Sequence, residues 1–265
     1  MVKEKQAEEK NNQQVVKQAD RLEIIYYTDP LCCWSWAIEP QLRRLLYEFS
    51  GKILLRSCMG GLLPTWKNYH DEVNSVTRPA QMGPVWMHAQ QLSGMPMNTL
   101  LWMQDPPASS YPACIAVKSA LLQSTATGER YLRLLREALM LHGKNIAKEN
   151  VLIEIANDLS EQPQYNFDIK RFKANLKNDN GLEAFRKDLQ EVQYHGIQRF
   201  PTLVFKSVSQ PGIILTGYRP YSAVIEALKH VTPHLHKSNQ HIQQSDYKNF
   251  WQSLTSRELE EIING

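Results

Sequence analysis

Hydrophobic positions along this chain follow two different spacings. Residues Leu22 to Pro30, LEIIYYTDP, form a continuous apolar, β-branched and aromatic run closed by a breaker pair, the pattern of a strand buried on both faces. Downstream, Trp36, Ile38, Leu42, Leu45, Leu46 and Phe49 recur at helical spacing and Gly51 supplies the stop. One helix is predicted there, with Pro40 in its first turns, where a proline is tolerated or bends the axis. KILLRSCMGGL then reads as a second strand ending at a glycine pair. Strand, helix and strand joined by short connections predict a right-handed βαβ unit with parallel strands.

From Pro64 to about Glu191 the spacing is helical, interrupted by proline and glycine. Ser109–Gln123, Glu129–Gly143, Lys148–Leu159, Phe167–Asn178 and Gly181–Gly196 each read as a helix, and such a block inside an α/β chain is a helical insertion. Ser109 or Ser110 is the expected N-cap of the first of these, with Pro112 at an early helical position. Strand character returns in Pro201–Phe205 and Gly212–Gly217, which can pair as a hairpin, and Pro220–Val231 reads as an amphipathic helix able to cover the sheet. A polar linker follows, then TSRELEEIIN, in which Thr255 and Glu258 have capping-box spacing. The expected organisation is a flexible segment over 1–20, a sheet domain from 21–63 and 197–233, a helical insertion over 64–196, and a polar linker with a final helix over 234–265.

Composition narrows the setting. With 42% hydrophobic and 22% charged residues, 265 residues suffice for one elaborated domain with a substantial core. The first twenty residues mix Lys, Glu and Gln without an apolar run, so neither a secretory signal nor a membrane span is expected there, and the expected location is the cytoplasm with no membrane partner. Four cysteines, Cys32, Cys33, Cys58 and Cys114, are too few and too scattered for a disulfide framework. The net charge of +3 is spread along the chain with no basic block, which argues against nucleic acid as a partner. No GxGxxG, P-loop or GxSxG pattern supports a nucleotide or serine-hydrolase reading.

The chemistry concentrates in DPLCCWSWAIEP, residues 29–40. A cysteine between a strand end and a helix start faces unsatisfied backbone amides and the positive end of the helix dipole, which favour an anion; Cys32 is therefore expected to be an acidic thiol. Cys32-Cys33-Trp34-Ser35 has the frame of a CxxC motif with serine last, so Ser35 cannot resolve a mixed disulfide, although its hydroxyl can donate to the Cys32 sulfur. A disulfide between the adjacent Cys32 and Cys33 would be strained, and Cys33 reads better as a small buried hydrophobe. Cys58 and Cys114 read as core thiols. Residues 77–104 hold five methionines and two tryptophans, either a substrate groove lined by Met82, Trp86 and Trp102 or simply the core of the insertion. His230, His234, His236 and His241 lie in the polar linker without cysteine or carboxylate at ligand spacing, so no metal site is expected.

FPTLVF places a proline at a strand start, where a missing ladder donor is tolerated. TDPLCCWSWAIEP, SSYPACIAVKSA, FPT and GYRPY, in this order over roughly Leu22–Val231, resemble the DsbA-like branch of the thioredoxin superfamily, in particular its FrnE-type oxidoreductases and SpxH (YjbH) adaptors of the ClpXP protease. The resemblance implies an α/β, thioredoxin-like fold of DsbA type with a large helical insertion. It places Cys32 as the nucleophile, Ser35 at the resolving position and Pro201 as a cis-proline facing them. Phe200, whose backbone can pair with an extended substrate or client, and Thr202 would flank that proline, with Cys33 and Trp34 completing the binding face. The implied function is single-thiol disulfide exchange at Cys32 on a protein or small-molecule substrate. Its alternatives are a non-catalytic adaptor that binds a protein client and a glutathione-dependent isomerase; apart from glutathione no cofactor is implied.

Overall fold

The computed structural model describes residues 22–206 and 211–263, and the expected flexible segment at 1–20 lies outside them. The chain begins with β1 (Leu22–Thr28), followed by α1 (Cys33–Ala37), α2 (Glu39–Glu48) and β2 (Ile53–Met59). The insertion comprises α3 (Met82–Ser93), α4 (Leu101–Gln104), α5 (Tyr111–Leu121), α6 (Thr125–Met140), α7 (Glu149–Ser160), α8 (Ile169–Lys177) and α9 (Asn180–Tyr194). The sheet is completed by β3 (Thr202–Lys206) and β4 (Ile213–Thr216), after which come α10 (Tyr221–Val231), α11 (Gln244–Trp251) and α12 (Ser256–Ile263).

The strand order is β2-β1-β3-β4. β1 and β2 are parallel, from Leu22 opposite Ile53 to Thr28 opposite Met59, as the βαβ reading requires. β3 runs antiparallel to β1 and forms the expected hairpin with β4. Because side chains alternate across a strand, Leu22, Ile24 and Tyr26 enter one core with residues of α2 and α10, while Ile25 and Tyr27 meet Cys58, Val192, Ile197 and Phe200 on the opposite face. Burial on both faces explains why β1 lacks polar alternation.

Three sequence expectations change. The single helix from Trp36 to Phe49 is two helices that meet at Ile38, because Pro40 enters the first turn of α2, has no N–H to continue the ladder, and restarts the axis. Ser110 occupies the N-cap position of α5 without capping it: the Tyr111 N–H donates to Ser109 Oγ at 3.1 Å, and the Ser110 hydroxyl is used elsewhere. The region after Val231 is more than a linker. Ser238 and Asn239 donate backbone bonds to the Glu48 carbonyl, and α11 forms around a fully buried Tyr247 that stacks edge-on against Tyr47. α12 has the predicted box, with Thr255 N donating to Glu258 Oε2 at 2.7 Å and Glu258 N to Thr255 Oγ1 at 3.3 Å.

The insertion shares its core with the sheet domain. Leu31, Cys33, Trp36 and Met59 belong to the same buried cluster as Trp86, Trp102, Tyr131, Phe172 and Phe185. Among the described residues no helix is long and apolar enough to cross a membrane.

Candidate functional site

Cys32 sits where the turn after β1 enters α1. Its backbone is extended, its N–H donates to the Asp29 carbonyl at 3.1 Å, and its sulfur accepts the Ser35 N–H at 3.4 Å, which makes the sulfur the cap of the helix. Across from it the Phe200–Pro201 peptide bond is cis, and Cys32 Sγ donates to the Phe200 carbonyl at 3.5 Å. Gly60, whose N–H donates to Thr28 O at 2.7 Å, makes room for this approach: a β-carbon there would stand 1.9 Å from the Phe200 ring. Cys32 and Ser35 thus come together with Phe200 and Pro201, more than 160 positions away in the sequence, in the arrangement the family resemblance implies.

The electrostatics of the sulfur run against the expectation of an acidic thiol. Cys32 is 4% exposed, and burial pushes its pKa up. The Ser35 and Trp34 amides pull the other way, the neighbouring Asp29 charge adds to the rise, and the net direction is upward; the Ser35 hydroxyl, expected to donate to the sulfur, is buried without a hydrogen-bond partner among the described residues. A five-residue helix offers too little field to overcome desolvation, so the environment holds an S–H that donates to a carbonyl.

Asp29 lies directly behind this turn with no exposed surface. One carboxylate oxygen accepts the Leu31 N–H at 2.8 Å; the other accepts the Leu62 N–H at 2.7 Å, the Ser110 hydroxyl at 2.9 Å and the Cys114 thiol at 3.3 Å. Burial raises its pKa and these donors only partly offset the rise, since none of them is charged. Asp29 therefore joins the end of β1, the loop after β2 and the start of α5. Here the Ser110 hydroxyl finds its partner, and Cys114 is a donor to the turn as well as a core thiol.

The remaining expected site residues divide. Cys33 is a free, buried thiol packed in the shared core, with a pKa driven well up by burial. Trp34 is half-buried at the rim, edge-on to the exposed His88 at 5.7 Å and 6.4 Å from the Tyr218 ring. Thr202 is buried and its hydroxyl donates to the Arg199 carbonyl at 2.8 Å, which leaves its side chain engaged with its own turn. Met82, Trp86 and Trp102 do not line an open groove. Trp86 and Trp102 cross edge-to-face at 5.3 Å, with 0% and 2% exposure, and the packing alternative for this segment holds. Cys58 is likewise buried, its thiol donating to Asp188 O at 3.7 Å.

Sequence reasoning missed a second group. Tyr26 Oη donates to the Ser35 carbonyl at 2.9 Å and lies 3.4 Å from Arg136 Nη2, and Arg136 also binds Thr28 Oγ1 and Glu39. Arg136 is 1% exposed. Its one signal in the sequence is an arginine pair, Arg133 and Arg136, at helical spacing within an otherwise apolar face of α6.

A parallel strand pair with an antiparallel hairpin, a cysteine at the head of the first helix, a cis-proline opposite it and a helical insertion together define a thioredoxin-like protein of DsbA type. The chain belongs to the thioredoxin family whose model, described as Thioredoxin, matches residues 26–226. It is similar to the ClpXP adapter protein SpxH of Halalkalibacterium halodurans, 33% identical over 215 residues, covering 80% of this chain and 68% of that protein. The chain spans about two thirds of the length of the curated relatives it matches. Among solved structures, a candidate protein disulfide isomerase of Nitrosomonas europaea superposes with a TM-score of 0.64 at 23% identity, covering 79% of this chain and 96% of that one. The cytosolic disulfide reductase DsbM of Pseudomonas aeruginosa gives a TM-score of 0.56 at 19% identity, covering 87% and 97%. At these identities the solved structures speak to the fold alone.

Proposed function

We propose that the chain is a cytoplasmic protein-binding adapter of the ClpXP type, in which the thioredoxin site has become a docking face and thiol turnover has been given up. The observation that carries this reading is the state of Cys32: 4% exposed, its thiol pushed up by burial, its proton donated to the Phe200 carbonyl, and a serine where a resolving thiol would stand. A nucleophile needs its thiolate and access to an incoming sulfur, and a two-thiol exchange needs the second cysteine. The similarity to SpxH adapters supports the same conclusion. On this reading the cis-Pro201 turn and the rim of Trp34, His88 and Tyr218 receive an extended client segment, with aromatic surface supplying affinity. Glutathione has no part in it.

The test combines three assays on the full chain. Iodoacetamide labelling across pH should give a Cys32 titration above the free-thiol value of about 8.5, and insulin reduction should stay at background. In a cell extract supplied with ATP and ClpXP, adding the chain should deplete a defined set of proteins that ClpXP alone leaves intact. Insulin or glutathione-disulfide turnover that disappears in Cys32→Ser, without ClpXP-dependent depletion, would overturn the proposal in favour of single-thiol exchange.

A further inference from the structure

The Cys32 turn and the C-terminal helix are joined by an unbroken buried polar chain. From the turn, the Ser35 carbonyl accepts Tyr26 Oη at 2.9 Å, and Arg136 Nη2 reaches the same hydroxyl at 3.4 Å. The Arg136 guanidinium is fixed on its other side by Glu39, whose second oxygen accepts Arg133 Nη1 at 3.2 Å. Arg133 then grips Glu258 of α12 with two bonds, 2.8 and 2.9 Å, and Arg43 Nη1 reaches the same carboxylate at 3.0 Å. Tyr26, Arg136, Glu39, Arg133, Arg43 and Glu258 are all 6% exposed or less, and Glu258 has no exposed surface. The Arg133 guanidinium also lies over the Trp36 ring at 4.5 Å, one residue beyond Ser35.

The charge arrangement makes this chain transmit a change from one end to the other. With α12 docked, Glu258 and Glu39 divide three arginines between them, and Arg133 also bonds Glu137 at 2.7 Å. If α12 leaves, Arg43 and Arg133 both lose the Glu258 carboxylate, and the nearest remaining carboxylates compete for them. The carboxylate already within reach of both is Glu39, 3.6 Å from Arg43 Nε and 3.2 Å from Arg133 Nη1. Glu39 is also what holds Arg136 against Tyr26 and Thr28. Competition for Glu39 therefore draws Arg136 away from the hydroxyl that supports the Ser35 carbonyl. A recess of about 390 Å³ lies at this seam, lined by Pro96, Arg133, Glu137 and residues 253–256.

We propose that α12 is a built-in latch for the Cys32–Ser35 turn: docked through Glu258 it holds the turn in the geometry described above, and its release loosens that turn. The latch acts whether the Cys32 face only binds clients or exchanges thiols, so it stands apart from the adapter reading.

Its test uses the full chain and two readouts, the alkylation rate of Cys32 located by mass spectrometry and amide exchange along α12. Glu258→Gln should speed Cys32 alkylation by about 5- to 150-fold, the range of ordinary coupling between sites. Glu261→Gln is the control within the same helix: Glu261 pairs with Arg44 and Arg257, outside the chain, and its loss should leave the Cys32 rate within about twofold even where α12 exchanges faster. Coupling is reciprocal, so Tyr26→Phe, which removes the hydroxyl at the far end, should speed exchange in α12. Equal acceleration of Cys32 by Glu258→Gln and Glu261→Gln would overturn the latch, as would an unchanged Cys32 rate with α12 undocked. Should Glu258→Gln fail to fold, Tyr26→Phe decides: unchanged α12 exchange overturns the proposal.

Discussion

Asp29 and Glu258 are both carboxylates without exposed surface, one behind the Cys32 turn and one under the C-terminal helix, and their protons behave in opposite ways. Asp29 is surrounded by two amides, a hydroxyl and a thiol, and its pKa is raised. Burial would raise Glu258 as well, but the Arg133 and Arg43 guanidiniums beside it reverse the direction and hold it low. Burial penalises both charges, and the charge of the partners decides whether ionisation is favoured. One acid positions a loop through neutral donors; the other is half of an ionic lock.

The comparison breaks first at Glu258. Glu258→Ala leaves two buried guanidiniums short of a partner and should destabilise the protein by ~3–5 kcal/mol in chemical denaturation. Asp29→Asn keeps the shape but loses acceptor capacity for four donors, and a smaller loss of ~1–3 kcal/mol is expected. Cys32 should also alkylate faster in this variant, because the Asp29 charge that adds to its raised pKa is gone.

Acidification sharpens the contrast. A carboxyl with a raised folded pKa is relieved of its charge as pH falls through that value, and the folded parent gains stability that the asparagine variant, with no proton to take up, does not. Between that value and the ordinary carboxylate range, the gap between Asp29→Asn and the parent should change by about 1.4 kcal/mol for each pH unit, in the parent's favour as pH falls. Glu258 has a depressed folded pKa. Its stabilisation is complete above the ordinary carboxylate range and is lost only as pH falls through the lower folded value, so the penalty of Glu258→Gln should hold steady through the window in which the Asp29 gap moves. Denaturation curves of the three proteins at matched pH values check both statements. The smallest effect belongs to Thr255→Ala, which removes one side of the capping box and should cost about 1 kcal/mol.

Much of the frame is legible in the chain because it is written in local patterns. The apolar run of β1, the glycine pair after β2 and the proline at the head of β3 each carry a backbone requirement in adjacent residues, while Cys32 opposite Pro201 is legible only through the family resemblance that DPLC and FPT carry. What escapes is long-range. Glu258 is legible as half of a capping box, but the burial of Glu258 and Glu261 is not, because the arginines that pair with them stand at positions 43, 44 and 133. α11 reads as linker since QSDYKNFW offers one buried side chain, Tyr247, whose partners are in α2. The expectation of an acidic Cys32 rests on a helix start alone, whereas the depth at which the sulfur lies depends on the fold around it.

Gly60 has a bearing on that sulfur out of proportion to its size. Its missing side chain is the berth for the Phe200 ring, and the Phe200 carbonyl is the group that receives the Cys32 proton. A single added methyl at position 60 would have to evict the ring and shift the peptide behind it, so the state of a thiol across the Phe200–Pro201 turn rests on one hydrogen atom at the end of β2.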